Sequence, residues 1–128
     1  MSAGSVSSVE LVLSLKGKGQ ATVELKRHLA PKTVGSIIRS LPLEGNAHML
    51  GKSMAFMDTS LNAGGEKLRT QFKKGDVGFM ASNGSLWFFL EDITQTKPMT
   101  FVGRIISNLH VAGEVKPGDI FSLTYAGT

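Results

Sequence analysis

The chain contains no cysteine. That excludes disulfides, thiolate metal sites and a cysteine nucleophile, and it fits a reducing cytosol. Long apolar runs are missing too. No stretch approaches the roughly 18 residues needed to span a bilayer. No basic segment followed by an apolar run opens the chain as a signal peptide would. No membrane partner is expected, and a cytoplasmic location is. Charge of one sign is also scarce: 14 basic residues are scattered among 10 acidic ones, for a net charge of +4. The densest basic groups, Lys26-Arg27-His28 and Lys67 to Lys74, are not interleaved with the aromatic residues that a single-strand binding face needs. They read as solvated surface, and nucleic acid is not favoured as a partner.

What is present suits one compact unit. The length of 128 residues, 41% of them hydrophobic, gives a single domain over 1–128 that can bury its own core. Met1 to Ser5 reads as a loose start. Val9, Leu11, Leu13 and Leu15 alternate with Glu10, Ser14 and Lys16, the period of a half-buried strand. Gly17-Lys18-Gly19 is a turn, and Ala21, Val23 and Leu25 return antiparallel. Pro31 suits the first turn of a helix. Val34, Ile37, Ile38 and Leu41 then form one apolar stripe that Pro42 ends, a helix of roughly three turns that stoppers a barrel or caps a sheet.

Leu43 to Gly51 reads as a loop, Ser53 to Met57 as a short strand, and Asp58 to Gly65 as a second loop. Lys73 to Asp76 turns into a strand at Val77 to Phe79. Asn83-Gly84 is a two-residue hairpin signal leading to a strand at Leu86 to Leu90. Thr100 to Ile106 is a further strand, and Val111 to Val115 is ambiguous. A turn at Lys116 to Asp119 leads into a last strand around Ile120, Leu123 and Tyr125. The expected class is mainly β: a closed or nearly closed antiparallel barrel of about eight strands with one main helix capping an end.

Candidate chemistry is thin. Gly51-Lys52-Ser53 resembles the end of a phosphate-binding loop, but Asn46 stands where its first glycine belongs, and the downstream residues suit a strand. His28, His48 and His110 share no metal-ligand spacing, so no metal and no cofactor is expected. Asp58, Glu66, Glu91 and Asp92 read as a solvated rim. No serine lies in a nucleophile-elbow pattern. The richest apolar group comprises Phe56, Met57, Phe88, Phe89, Met99 and their neighbours. Alternate members on each strand face opposite sides, so one set is core and the other is free to line a groove for peptides or small apolar ligands. Trp87 and Phe88 cannot both point inward; at least one is exposed or covered by a loop.

Several segments resemble cyclophilins. Pro31-Lys32-Thr33-Val34 is similar to their helix start, and Met80-Ala81-Ser82-Asn83 with Gly84-Ser85-Leu86-Trp87-Phe88-Phe89 is similar to their later core. Phe101-Val102-Gly103-Arg104-Ile105 is comparable to the strand that follows. Gly75-Asp76-Val77-Gly78-Phe79 and Val102-Gly103-Arg104-Ile105 resemble short, minimal cyclophilin-like proteins of prokaryotes more closely. The resemblance implies an eight-stranded barrel, and in true cyclophilins peptidyl-prolyl isomerisation. The catalytic arginine, aligned through Phe56-Met57, falls here on Gly51 with Lys52 beside it. The glutamine-glycine-glycine segment is absent, the pocket histidine falls near Met99, and the tryptophan-bearing pocket loop has no counterpart.

The expectation is therefore a module that binds proline-containing peptides with weak or no isomerase activity. Phe56, Met57, Phe88, Phe89 and Met99 would form its pocket, and Lys52 and His48 would supply polar contacts. Arg39, Lys52 or Arg104 would have to serve as the donor to the prolyl nitrogen. One alternative is a small-molecule-binding barrel using Asn46, His48, Lys52 and Ser53 at its mouth. Another is a structural or assembly subunit, a homo-oligomer anchored through Trp87.

Overall fold

The computed structural model describes residues 7–126; the loose start expected for Met1 to Ser5 lies outside them. Alternation in the first two strands forms a hairpin of β1 (Ser8–Leu15) and β2 (Gly19–Lys26), paired in register from Ser8 with Lys26 to Leu15 with Gly19. After it come α1 (Pro31–Arg39), β3 (Leu43–Leu50), β4 (Met54–Asp58), β5 (Leu68–Phe72), β6 (Asp76–Met80) and β7 (Ser85–Phe89). The long β8 (Ile93–Ser107), a 3-10 helix (Leu109–Glu114) and β9 (Ile120–Tyr125) complete the fold. Eight strands run in the order β2-β1-β9-β3-β4-β7-β6-β8, and pairing of β8 with β2 closes them into an antiparallel barrel. β5 is a further strand outside the closed ring, bonded among the described residues to β8 alone.

Helix α1 begins at Pro31 and buries Thr33, Val34 and Ile37, with Val34 and Ile37 joining the barrel core. Its apolar stripe and the missing N–H of proline explain the start. Ala30 at the N-cap has no side chain to satisfy the first N–H groups. Glu66 does this from another loop: its carboxylate accepts from Thr33 N (2.7 Å), Thr33 Oγ1 (2.8 Å) and Lys32 N (3.3 Å). Desolvation pushes the Glu66 carboxyl up, but the bonds from Thr33 and Lys32 prevail and hold it below its ordinary range. α1 follows the end of β2, whereas the 3-10 helix reaches its start, where Val111 lies against Gly19. The two helical segments thus meet β2 near opposite ends.

Several expectations need correcting. Leu43 to Gly51 is not a loop; β3 is an eight-residue strand paired with both β9 and β4. Its inward positions are Leu43, Gly45, Ala47 and Met49, so small side chains hide the alternation. Gly45 is needed there because a Cβ would fall 1.8 Å from the carbonyl oxygen of Asp58. β5 went unread because Phe72 is its only buried residue. β8 starts seven residues before the expected Thr100, and Pro98 lies in it beside a register shift opposite Arg69 and Gln71. Such irregularity is where a strand tolerates proline. The β6–β7 loop has four residues, 81–84, rather than two. Only Gly84 in it takes a positive φ, +68°, and a two-residue type I′ turn would need two such residues. Val111 to Val115 resolves into the end of the 3-10 helix and the residue beyond it.

The side chains sort into two clusters. Leu11, Leu13, Leu15, Val77, Phe79, Leu86, Phe88 and Phe121 are among those inside the barrel. Met54, Phe72, Met80, Trp87, Phe89 and Met99 form a second buried cluster on the outer face. β5 and the first half of β8 make a ribbon that supplies Phe72, Ile93 and Met99 to it. Trp87 is therefore covered rather than exposed, and Phe88 beside it points inward.

Candidate functional site

The outer face of β3, β4 and β7 carries a ladder of rings. Register places His48 opposite Phe56 and Phe56 opposite Trp87. The rings stack at 4.2 Å and 15° for Phe56 on Trp87, and at 4.7 Å and 21° for His48 on Phe56. Polar bonds set the ends of the stack. Trp87 Nε1 donates to Ser85 Oγ (2.7 Å), and that hydroxyl donates to Asn83 Oδ1 (2.5 Å). His48 Nε2 lies 2.7 Å from Asp58 Oδ2.

A second feature lies under the ribbon. Phe72 stacks on Phe89 at 4.4 Å and 3°, and Phe101 meets Phe72 edge-on at 6.3 Å. The Arg69 guanidinium sits 4.5 Å from the Phe101 ring centre and 5.5 Å from that of Phe72. Arg69 Nε donates to the Gln71 carbonyl at 3.0 Å. Its terminal nitrogens have no hydrogen-bond partner among the described residues. Beside it opens a hollow of about 270 Å³ bordered by Arg69, Gln71, Phe72, Lys73, Asp92, Ile93 and Thr94.

The expected site residues separate into three groups. Met57 and Phe88 are 0% and 1% exposed inside the barrel, so neither lines an open surface. Their strands' alternation sends them opposite to Phe56 and Phe89. Phe89 and Met99 belong to the outer cluster but are sealed beneath the ribbon. Only Phe56 and His48 come together at a partly open place. Lys52 is exposed in the β3–β4 turn, and Gly51, the position aligned with the catalytic arginine, is in that turn with φ +61°. Arg39 reaches Ser36 Oγ on its own helix (3.4 Å). Arg104 is held by Asp76 (3.5 Å) and the Lys74 carbonyl (3.3 Å). The cation on the outer aromatic cluster is Arg69, which sequence reasoning missed because its strand was missed. The only available signal was a five-residue extended run between a glycine-rich loop and the Lys73-to-Asp76 turn. Among the described residues, no group of three or more His, Asp or Glu side chains could hold a metal ion, and no helix is long and apolar enough to cross a membrane.

A closed eight-stranded antiparallel barrel with helical segments near its ends and an aromatic outer face is the architecture of a cyclophilin-like domain. A cyclophilin-like family model matches residues 16–122, and the chain belongs to that family. No curated protein matches the sequence. Among solved structures, the hypothetical protein AF2241 from Archaeoglobus fulgidus is similar with a TM-score of 0.78 at 20% identity, covering 94% of this chain and 96% of that one. McbB, solved in complex with tryptophan, is similar with a TM-score of 0.76 at 13% identity, covering 92% of this chain but only 45% of McbB. At these identities the likeness is one of fold.

Proposed function

We propose that this chain is a cyclophilin-like binding module that takes an extended, proline-containing peptide at the Arg69 hollow and does not accelerate its isomerisation. The observation that carries this is the Arg69 guanidinium, stacked on Phe101 and Phe72 beside an open hollow at the free strand β5. An edge strand offers unpaired backbone groups to an added strand. Phe72 and Ile93 supply an apolar wall for a prolyl ring, and the free guanidinium nitrogens can donate to a peptide carbonyl. Proline lacks the N–H of a ladder residue and is tolerated at such an edge.

Weak or absent catalysis follows from the setting of that cation. Isomerisation requires a donor that stabilises the twisted amide more than the planar one, and such preorganised donors act strongly in water-excluded sites. Arg69 is exposed, so its field is screened. The position that the resemblance aligns with the catalytic arginine of true cyclophilins is Gly51, a glycine in a turn. The absence of cysteine supports a cytoplasmic setting for the module, which fractionation of host cells tests.

Titration of the isotope-labelled protein with a short proline-containing peptide should shift the amides of Arg69 to Lys73 and Asp92 to Thr94 and leave β3 unmoved. A protease-coupled isomerase assay at micromolar protein should show no rate gain. Absence of saturable shifts at β5 would refute the binding half; a rate gain abolished by Arg69→Ala would refute the non-catalytic half.

A further inference from the structure

The ring ladder ends at His48, yet the sheet continues beyond it. β3 pairs with β9 through Gly45 with Phe121 and Asn46 with Ile120, and Ala47 N donates to the Asp119 carbonyl at 2.9 Å. Beyond β9 the chain turns over Lys116 to Asp119, and Gly118 in that turn borders the same hollow as His48. Every earlier place in the row, on β7, β4 and β3, holds a ring. The hollow beside His48 is bordered instead by Gly118, with a φ of +93° and nothing within 4 Å of where a Cβ would stand. Two hollows open there and share His48. One, of about 380 Å³, is bordered by Asn46, Ala47, Pro117, Gly118 and Asp119. The other, of about 250 Å³, is bordered by Met49, Val115, Lys116 and Pro117.

We propose that this vacant place is a binding site for a planar aromatic ring carrying an anionic group, which stacks on His48 as the next member of the ladder. Three features of the site support this. His48 is held in position before any ligand arrives, by Phe56 behind it and Asp58 at Nε2, so little side-chain freedom is lost on stacking. The floor at Gly118 has no side chain to block a flat ring, and Pro117 gives it an apolar wall. Lys116 brings a cation to the second hollow. Asp119, the acid beside it, is already engaged: its carboxylate accepts from Lys18 Nζ (2.7 Å) and Lys116 N (2.8 Å), and the Lys18 bond leads in holding its carboxyl below the ordinary range. The Lys116 ammonium itself has no hydrogen bond or ion pair among the described residues, and neither has the Asn46 amide. The Lys116 charge already acts on Asp119, but its ammonium and the Asn46 amide keep their hydrogen-bonding capacity for an anionic substituent on the ring.

The site is separate from the Arg69 hollow, which lies beyond Trp87 on the other side of the ladder. Indole-3-acetate serves as the probe, with indole supplying the ring alone and acetate the charge alone. Titrated into the isotope-labelled full chain, indole-3-acetate should give saturable shifts at Asn46 to His48 and Lys116 to Asp119. Indole should bind at the same residues several-fold more weakly, and acetate should give no saturable shift. His48→Ala should weaken indole-3-acetate about tenfold, the scale of one stacked aromatic pair. His48→Phe should restore it, and Lys116→Ala should bring indole-3-acetate down to the level of indole. Arg69→Ala should change nothing. Shifts centred on Arg69 and Phe72, an affinity unaltered by His48→Ala, or no saturation up to the solubility of the probe would each overturn the proposal.

Discussion

The inside of the barrel and its outer aromatic face are both apolar, both largely buried and built from alternate residues of the same strands, yet they are closed in different ways. The interior is ringed by eight strands with helical segments near its ends, and its leucines, valines and phenylalanines are buried. The outer cluster is roofed by one ribbon, β5 with the first half of β8, whose far edge is unpaired. A core closed on all sides serves stability. A cluster closed by a single flap leaves margins, and the margins of this one hold Arg69 at one side and His48 at the other. The apolar face that is incompletely covered is therefore where binding is to be sought in this fold.

Substitutions in the two clusters, Phe88 inside the barrel and Phe72 outside it, test that contrast most severely. Phe88→Ala should remove about 3–5 kcal/mol, because the surrounding barrel cannot collapse into the cavity. Phe72→Ala, on the ribbon, should cost less, about 2–3 kcal/mol, because the flap can settle or admit water. Hydrogen exchange should then show faster opening confined to β5 and the start of β8. Equal losses in chemical denaturation, with exchange quickened throughout, would mean that the two clusters are one cooperative core.

A smaller effect is expected where the barrel is braced from outside. Glu66→Ala removes the acceptor for the first turn of α1 and should cost about 1 kcal/mol, the usual value of a helix cap. Its pH dependence has a definite sign. The folded-state value is lowered from the ordinary 4.5, so the unfolded chain binds the proton more readily. The carboxylate therefore contributes stability that is full above 4.5 and is lost as pH falls through the lowered folded value. Melting curves of wild type and Glu66→Gln should converge as pH drops through that window. A constant gap would show that Glu66 acts by packing alone.

Smallest in stability should be Arg69→Ala. The guanidinium is exposed, and a cation–π contact at such a site is worth about 0.5–1 kcal/mol. Binding of the proline peptide should nevertheless be lost. A variant that melts like the wild type and no longer shifts on titration would sharpen the division between core and margin. One that still binds would dissolve it.

The legibility of the chain follows the same division. Leu11, Leu13 and Leu15 on one strand and Ala21, Val23 and Leu25 on the next announced their strands, because a face buried on one side alternates cleanly. Pro31 and the stripe through Ile37 marked the helix for the same kind of reason. β3 stayed hidden because its inward positions include Gly45 and Ala47, residues chosen for close approach of neighbouring backbone rather than for hydrophobicity. β5 stayed hidden because an edge strand that buries only Phe72 has almost no period. The aromatic and methionine residues were recognised as a group, but Met57 and Phe88 were assigned to the same pocket as Phe56 and Phe89. The alternation that separates them says only that two faces differ.

Periodicity and turn chemistry by themselves determined that this chain forms antiparallel strands, that one helix begins at Pro31, and that the strands carrying Phe56 and Phe88 are apolar on both sides. Those features depend on neighbours within a few residues, so they can be read in one dimension. Which face became core, what roofs the other, and which cation and which ring were left at its margins were decided only in the tertiary structure. They depend on pairings between residues tens of positions apart, such as Phe56 with Trp87 and Arg69 with Met99, whose partners no local pattern specifies.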